Sequence, residues 1–319
     1  MTYRPSSPYA PSRRPSLPRP PRRARLPRPP RRARLPRPPR RARLPRPPRR
    51  ARLTRRGRLA LLFGAVLAVA AAVTVPLLVT RDEPAVEQPR TLLVPEGWRA
   101  GQVYTAVDRA LQLPDGTARK TATTPGVLPL PAAAGGNPEG YLFPATYPVL
   151  STTTPEALLR FMVDTAGKRY GTGRIAEGAR AHGLSVYQTV VAASIVQAEA
   201  DNPEDMAKVA RVVHNRLARG MALQMDSTLN YALGRSSVDT SFADTKSGSP
   251  YNTYARKGLP PTPIGNPGDE AVDAVVRPAD GDWLYFVTVA PGDTRFTADY
   301  ATHQANVAEF NANRSAGQR

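Results

Sequence analysis

The chain has 319 residues, no cysteine, 36 prolines and a formal net charge of +20. Residues 1–58 hold 22 arginines and no acidic side chain, so the rest of the chain, with 23 basic and 25 acidic residues, is nearly neutral. The lack of cysteine excludes disulfides, thiolate metal sites and a cysteine nucleophile, and three histidines argue against a polyhistidine metal centre. We therefore expect no metal and no cofactor in a globular part of ordinary composition.

Residues 1–58, the arginine tail, contain a repeat. The nine residues LPRPPRRAR occur four times between Leu17 and Arg52. Three prolines per unit prevent both helix and sheet, so we predict a disordered or polyproline II segment. Two interpretations stay open: a solvated tail that sets membrane topology, or a segment that binds anionic lipid, DNA, or an acidic or proline-reading partner in the cytoplasm.

An uncharged apolar run follows the arginine tail. Leu59–Thr80 contains 22 residues without a charge, about 33 Å as a helix, which is enough to cross a bilayer. Arginines precede the run and Asp82 and Glu83 follow it, so the positive-inside rule puts the tail in the cytoplasm and residues 81–319 outside. A cleaved signal peptide is the alternative, but its apolar core is only about 7–15 residues long. We predict a single-pass cell-membrane anchor.

The chain beyond the apolar run begins with a small strand–helix pattern. Residues 81–90 are polar and are predicted to be a linker. TLLVPEGW is a strand-like run that ends at a Pro-Glu-Gly turn, and AGQVYTAVDRALQL has apolar residues at helical spacing. Residues 114–138 are rich in Pro, Gly, Thr and Ala and are predicted to be loop. Residues 91–138 are thus predicted to form a small unit, with a plain spacer as the alternative.

Helical signals dominate residues 139–319. Thr154, Ser185 and Asn202 are predicted N-caps, and the helix after Ser185 (VYQTVVAASIVQAEA) is apolar on every side, which is typical of a buried helix. The other predicted elements are helices at Pro155–Tyr170, Pro203–Arg219, Ser227–Leu233, Asp269–Val276 and Ala301–Asn311, and a strand at 283–289 that pairs with Arg295–Phe296. The predicted fold class is α+β: a small strand–helix unit followed by a mainly helical domain with a short β-sheet.

Glu199 is the first candidate for chemistry. It ends the apolar helix, three and four residues after Val196 and Ile195, so its side chain shares their buried face. Burial and the negative end of the helix dipole both raise the pKa of a carboxyl group. A carboxylic acid that stays protonated near neutral pH is what a general acid requires. A glutamate that simply leaves a buried helix into solvent is the alternative.

Five stretches of the sequence resemble one known family. In chain order they are ASIVQAE, VVHNRLARGMALQMDSTLNYALG, SPYNTYARKGLPPTPIGNPG, WLYFVTV and RFTADYATHQAN. Together they resemble the membrane-anchored endolytic lytic transglycosylases of bacterial peptidoglycan, the YceG-like (MltG) family. The resemblance covers residues 136–312 and also includes VPEGW and GYLFPATY.

The resemblance implies an enzyme, a carbon–oxygen lyase that cuts the bond between MurNAc and GlcNAc without water. A single glutamate protonates the glycosidic oxygen and then takes a proton from the MurNAc 6-hydroxyl, which closes onto C1 and leaves a 1,6-anhydro end. Glu199 matches the second acidic position of the family motif S-I-V-E-x-E, whereas the first position is Gln197 in this chain. The resemblance therefore assigns catalysis to Glu199 and implies an enzyme that terminates elongation of nascent glycan strands.

Supporting residues are implied in the same way. Gln224 and Asp226 are expected to orient Glu199 or to bind sugar hydroxyls. Asp226 is also expected to stabilise oxocarbenium charge, with a helix N-cap as its alternative role. Asn215 and Arg216 are expected to pin their helix to neighbouring loops.

Four further residues are expected to bind substrate. Tyr251, Asn252 and Thr253 offer polar groups and one aromatic face for a sugar cleft, with turn formation after Pro250 as the alternative. His303 matches a family histidine, for which a structural hydrogen-bonding role and a second acid–base role are the two interpretations.

The resemblance also implies partners. The glycan strands of peptidoglycan are the expected substrate, the membrane is expected to hold the anchor, and cell-wall synthases are the expected protein partners. The family carries a LysM-like module between anchor and catalytic domain, and residues 91–138 are long enough only for a reduced one. Two other functions stay open: a non-catalytic anchored scaffold that binds glycan or synthesis proteins, and a main role for the arginine tail in binding DNA or anionic lipid.

Overall fold

The computed structural model of the chain describes residues 90–235, 241 and 243–317. The predicted tail (1–58), membrane anchor (59–80) and all but the last residue of the predicted linker lie outside the described residues. The chain divides into two units, Met1–Arg81 and Asp82–Arg319, and the described residues all belong to the second. Among them, no helix combines the length and the apolar character needed to span a bilayer.

The described residues form a mixed structure of helices and short strands, which confirms the predicted α+β class. In this part of the chain the strands form two antiparallel two-stranded sheets, in which β1 (Arg90–Leu93) pairs with β2 (Thr146–Val149) and β3 (Tyr285–Ala290) with β4 (Asp293–Thr297). The α-helices, in chain order, are α1 (Ala100–Leu111), α2 (Thr117–Thr123), α3 (Pro155–Tyr170), α4 (Gly173–Ala181), α5 (Val186–Glu199), α6 (Pro203–Ala218), α7 (Asp226–Ala232), α8 (Asp269–Val276) and α9 (Tyr300–Gly317).

The three predicted N-caps begin their helices. The side-chain oxygens of Thr154, Ser185 and Asn202 accept hydrogen bonds from backbone N–H groups three residues later, at 3.2, 3.1 and 2.9 Å. At α5 the cap is reciprocal, because the Ser185 N–H donates to the side chain of Gln188 at 2.9 Å. Such bonds satisfy donors that the first turn of a helix leaves without partners. The predicted starts of α3, α5 and α6 are therefore confirmed.

Two short helices and one strand have no counterpart in the sequence-based expectations. Helix α2 lies within residues 114–138, where loop is expected, and it forms because Ala118 and Ala122 pack into the core one turn apart. Helix α4 likewise buries only Ile175 and Ala179. Strand β2 contains a proline, which is tolerated in an edge strand but conceals the strand in the sequence. All three depend on tertiary packing more than on local pattern.

Helix α5 lies at the centre of the core. Its residues Val190–Val196 are at most 3% exposed, and it packs against α6 and α8. A helix that is apolar on every side needs neighbours on every side. The single polar side chain in this stretch, Ser194, donates to the carbonyl of Val191 and accepts from the N–H of Ile264. Helix α5 thus presents its last residue, Glu199, at the edge of a rigid core.

The strand–helix unit at residues 91–138 shares this core. Strand β1 pairs with β2 across the predicted boundary at residue 138. The side chains of Val94, Val103 and Val107 belong to the same continuous apolar cluster as α5. Backbone pairing and packing therefore both connect this unit to the rest of the described fold.

Candidate active site

Glu199 lies at the C-terminal end of α5, where the buried helix meets solvent. Its carboxylate oxygen Oε1 accepts a hydrogen bond from the Ser227 hydroxyl at 2.6 Å and a longer one from the Ser227 backbone N–H at 3.3 Å. Ser227 lies in the first turn of α7, so one short helix fixes the carboxyl group at the end of another. Glu199 as a residue keeps partial solvent exposure, which a group that reacts with an external substrate requires.

Burial is the main influence on the Glu199 carboxyl group. Removal from water raises its pKa, the two hydrogen bonds from Ser227 favour the ionised form and act in the opposite direction, and the nearby Asp226 raises the pKa further. The net direction is upward, so Glu199 keeps its proton to a higher pH than an exposed glutamate does. This is the behaviour that a general acid requires.

Asp226 brings a second carboxylate to the site. It is the first residue of α7, whose N-cap is Met225 with no side-chain cap, so the alternative role of Asp226 as the N-cap is wrong. Its Oδ1 accepts a hydrogen bond of 2.5 Å from the phenol of Tyr254. Burial, followed by this hydrogen bond, raises the pKa of Tyr254 well above its ordinary value, so the phenol remains a donor. Tyr254 directly follows the residues singled out in SPYNTY, but a tyrosine in an irregular segment gives no sequence signal of such a contact.

Gln224 lies at the surface just before α7. Its backbone has a left-handed conformation, with φ of 52°, and its N–H donates to the carbonyl of Thr253 at 3.0 Å. Its side-chain Oε1 lies 3.4 Å from Nη1 of Arg216, and the residue is exposed. The Gln224 side chain is therefore accessible from solvent near the first turn of α7.

Arg216 is a buried cation behind this turn. Its guanidinium donates to the carbonyls of Leu284 and Leu223, each at 2.6 Å, and lies 5.3 Å from the ring centroid of Tyr285. The nearby Asn215 donates to the carbonyls of Gly281 and Trp283. These bonds join α6 to the segments before α7 and β3, which confirms the structural role expected for this pair.

Tyr251, Asn252 and Thr253 do not share one environment. The side chains of Asn252 and Thr253 are at most 2% exposed. The Asn252 amide donates to two backbone carbonyls of the preceding turn, and Thr253 Oγ1 accepts the N–H of the residue before α7. The ring of Tyr251 is half-buried, and its hydroxyl lies 2.8 Å from that of Thr262. Of the three, Tyr251 has surface for a substrate, whereas Asn252 and Thr253 hold the loop in position.

His303 lies on α9 and stacks on Tyr285, with 5.0 Å between ring centroids. Its Nδ1 is buried and has no hydrogen-bond partner among the described residues. Burial and the charge of Arg216 lower its pKa, so the imidazole is neutral at neutral pH. His303 therefore packs with Tyr285 beside Arg216, and the described contacts do not bring it to Glu199.

Gln197, the first position of the S-I-V-E-x-E motif, points away from Glu199. Residues two apart in a helix are separated by roughly 200° around its axis. The Gln197 Oε1 accepts the N–H of Gly268 at 2.9 Å, and its amide bonds the carboxyl group of Glu96, whose pKa is raised mainly by burial. A Cβ atom on Gly268 would overlap that carboxyl group. Gln197 thus ties the loop before α1 to the start of α8, and its replacement of a family glutamate leaves the Glu199 site intact.

Glu139 is a second buried carboxyl group, which the sequence analysis does not identify. It is 5% exposed and accepts hydrogen bonds from the first N–H of α1, at Ala100 (2.8 Å), and from the hydroxyl of Tyr231 on α7 (3.1 Å). Burial raises its pKa to about 7, although both bonds and the nearby Arg99 favour its ionised form. A single glutamate in the turn NPEGY carries no periodic signal of burial. Glu139 connects the start of α1 to α7, the helix whose Ser227 bonds the Glu199 carboxyl group.

A cavity of about 600 Å³ lies near the other end of α5. Its walls include Tyr187, Gln188, His214 and the proline-rigid segment Leu259–Pro261. Gln188 lies three turns before Glu199, about 16 Å along the helix axis, so this cavity does not contain the candidate acid. The described residues contain no cluster of three or more potential metal ligands.

Comparison with known proteins assigns the chain to a family. The family model described as the YceG-like family matches residues 70–309. An endolytic murein transglycosylase of Bacillus subtilis is 36% identical over 166 residues, which are 52% of this chain and 46% of the relative. An endolytic murein transglycosylase of Streptococcus pneumoniae is 32% identical over 258 residues, which are 72% of this chain and 46% of the relative.

The match to these curated relatives spans about half of their length. Among solved structures, a crystal structure of a YceG-like protein from Listeria monocytogenes superposes with a TM-score of 0.60 at 30% identity, covering 69% of this chain and 76% of that one. The match of the family model covers well over half of the sequence and includes Glu199 and the α7 segment that contacts it. The chain belongs to the YceG-like family.

Proposed function

We propose that the protein is an endolytic murein transglycosylase with Glu199 as its acid and base. The observation that carries this proposal is the Glu199 carboxyl group itself. It is fixed by Ser227 at 2.6 Å, its pKa is raised by burial, and the residue that carries it keeps partial exposure at the end of a buried helix. The names of the related proteins from Bacillus subtilis and Streptococcus pneumoniae support the same activity.

In the first step the protonated Glu199 donates its proton to the oxygen between MurNAc and GlcNAc. The bond from C1 of MurNAc to that oxygen breaks, GlcNAc leaves with a hydroxyl group, and positive charge develops at C1. Asp226, whose Oδ1 is held by Tyr254 at 2.5 Å, provides a negative group near this charge. Electrostatic stabilisation of this kind is a major source of catalysis in a site that excludes water.

In the second step the ionised Glu199 takes the proton of the MurNAc 6-hydroxyl. The oxygen of that hydroxyl closes onto C1, the 1,6-anhydro ring forms, and Glu199 is again protonated for the next cycle. The substrate thus supplies its own nucleophile, whereas hydrolytic glycosidases use two carboxyl groups and a water molecule. Asp226 is a second carboxyl group near Glu199, so hydrolysis is the competing reaction.

Digestion of purified peptidoglycan by the full-length chain tests the activity. We expect mass spectrometry to show 1,6-anhydro ends on fragments of mixed length, because cleavage within strands does not start from an end. Glu199→Gln keeps the shape of the side chain but cannot donate the proton, and we expect a loss of at least about 100-fold. Glu177→Gln, at an exposed position of α4, is the matched control and keeps the activity.

Each of the other outcomes has a clear meaning. Reducing ends instead of anhydro ends would indicate a hydrolase. Glycan binding without cleavage by the wild-type chain would support the non-catalytic scaffold. Activity retained by Glu199→Gln would contradict the role of Glu199.

We also propose that the protein is anchored in the cell membrane by Leu59–Thr80, with residues 81–319 outside the cytoplasm. The uncharged run and the 22 arginines before it support this topology. Such a position suits termination of nascent strands beside cell-wall synthases. The test compares cell fractions and protease digestion of spheroplasts for the full chain and for a chain without residues 59–80. Recovery of the full chain in the soluble fraction would contradict the anchor.

A further inference from the structure

Two neighbouring residues at the start of α7 contact two different ionisable groups. Ser227 holds the Glu199 carboxyl group at 2.6 Å, and the preceding residue, Asp226, accepts the phenol of Tyr254 at 2.5 Å. The first turn of α7 therefore links the candidate acid to a tyrosine in the following irregular segment. The steps of the proposed reaction do not themselves require this tyrosine.

The fold gives Tyr254 little freedom to leave Asp226. The buried Asn252 accepts the Tyr254 backbone N–H through its side chain at 3.0 Å. Thr253 accepts the N–H of Gln224 on its carbonyl and the N–H of Met225 on its hydroxyl, each at 3.0 Å. These bonds fix the segment against the residues immediately before Asp226. Asn252 and Thr253, which the sequence analysis expected to bind sugar, thus fix the position of Tyr254.

Four ionisable groups, each from a different part of the fold, meet around the contact between Asp226 and Tyr254. Glu199 lies on α5, Asp226 on α7, the Arg216 guanidinium on α6, and Tyr254 between them in the irregular segment. The negative charge of Asp226 makes ionisation of Glu199 less favourable. The charge of Arg216 lowers the pKa of the Tyr254 phenol, whereas the charges of Asp226 and Glu199 raise it. How strongly Asp226 influences Glu199 depends on where its carboxylate points, and the Tyr254 hydroxyl decides that direction.

We propose that Tyr254 is a positioning residue that keeps the Asp226 carboxylate oriented beside Glu199 and so strengthens the influence of that carboxylate on the protonation of Glu199. The proposal rests on the proposed function, since it deepens the role of the same site. It adds no covalent step. Without the Tyr254 hydroxyl, the Asp226 carboxylate can turn toward solvent, its influence on Glu199 weakens, and Glu199 loses its proton at a lower pH.

The first test is the pH dependence of anhydro-product formation by the full chain with Tyr254→Phe. Loss of a hydrogen bond to a charged group predicts a fall in kcat of roughly 10- to 100-fold with KM changed less than about 2-fold. The pH at which activity declines on the alkaline side moves down by about one unit, the size expected when a neighbouring charge turns away. A merely structural role would lower the rate equally at every pH, and an unshifted profile overturns the proposal.

Three further variants test whether the shift of the pH profile comes from the contact between Tyr254 and Asp226. Tyr187→Phe removes a phenol that donates to the carbonyl of Pro261 at 3.2 Å and leaves the profile unchanged. Ser227→Ala removes a hydrogen bond that favours the ionised Glu199. The pH at which activity declines on the alkaline side therefore moves up, in the opposite direction to the shift expected for Tyr254→Phe. In an Asp226→Asn background, Tyr254→Phe causes no further shift, because the two residues act as one unit. A further downward shift in that background contradicts the proposal.

A direct titration separates this proposal from the proposed function. Carbon-13 NMR of glutamate carboxyl groups, with Glu199 assigned by its absence in Glu199→Gln, reports the pKa of Glu199 without substrate. We expect Tyr254→Phe to lower that pKa by about one unit, whether or not the chain cuts peptidoglycan. An unchanged Glu199 pKa overturns the positioning role even if the enzyme is an active transglycosylase.

Discussion

At the scale of single residues, the same physical effect acts on two carboxyl groups with different consequences. Burial raises the pKa of both Glu199 and Glu139. Glu199 keeps partial exposure and is held by a serine, so it can exchange a proton with a substrate. Glu139 is enclosed and bonded at both oxygens, so its proton affects the stability of the fold instead.

The Glu139 carboxyl group predicts a stability that falls as the pH rises. Its pKa is raised from 4.5 to about 7, so between these values the folded chain holds a proton that the unfolded chain has lost. The contribution of Glu139 to stability is therefore fully present below about pH 4.5, decreases as the pH rises across this window, and levels off once the pH has passed about 7. Glu139→Gln keeps an oxygen for the Ala100 N–H and removes the titration. The wild type should lose up to about 3 kcal/mol relative to this variant between pH 4.5 and pH 8.

Thermal denaturation of both proteins across that pH range measures the effect. A loss of this size corresponds to a Tm difference of roughly 6–12 °C for a unit of this length. Groups that titrate in both proteins cancel in the comparison. The exposed Glu177→Gln serves as control and should follow the wild type at every pH, and parallel curves for wild type and Glu139→Gln would show that Glu139 is not protonated in the folded state.

At the scale of elements, the sequence predicts those helices whose signals are local. The caps at Thr154, Ser185 and Asn202 and the apolar surface of α5 are visible in the residues themselves, and the structure confirms them. Elements α2, α4 and β2 are stabilised by a few buried residues or by a distant partner strand, and such contacts leave no periodic pattern in a single sequence.

The candidate site likewise contains some residues that the sequence identifies and others that it does not. Glu199 is predictable because it ends a helix with an unusual composition, and the resemblance of the surrounding blocks adds Asp226. Tyr254 and Glu139 lie in irregular segments, and their contacts join residues 28 and 92 positions apart. Helix α7 is the element that collects these contacts: its first turn meets Glu199 and Tyr254, and its last turn meets Glu139. Its seven residues are too few to be stable alone, so its position depends on these partners.

At the scale of the molecule, the described part of the second unit has one core on both sides of residue 138. Strand β1 lies before this position and its partner β2 after it. The loop between β1 and α1 bonds to the segment before α8, with the Gly97 N–H donating to the carbonyl of Asn266 at 2.8 Å. The strand–helix unit at residues 91–138 is therefore expected to support the part of the fold that contains Glu199, and not to act only as a spacer.

This arrangement predicts that residues 139–319 do not fold alone, whereas residues 82–319 do. Removal of residues 82–138 strips the core of Leu92, Val94, Val103 and Val107, which are at most 8% exposed. Burial of each such side chain contributes about 1.5–3 kcal/mol, so their loss costs at least about 6 kcal/mol. That is comparable to the whole stability of a typical domain, about 5–15 kcal/mol. The shorter chain also loses the hydrogen bond that the Ala100 N–H of α1 donates to Glu139.

Circular dichroism during heating distinguishes the two outcomes. We expect a cooperative transition for residues 82–319 and a weak, non-cooperative change for residues 139–319. Addition of residues 82–138 as a separate peptide should restore part of the cooperative transition, because the missing side chains then return to the same core. A cooperative transition of residues 139–319 within a few degrees of the longer chain would instead make residue 138 a true domain boundary, and the strand–helix unit would then be an independent module.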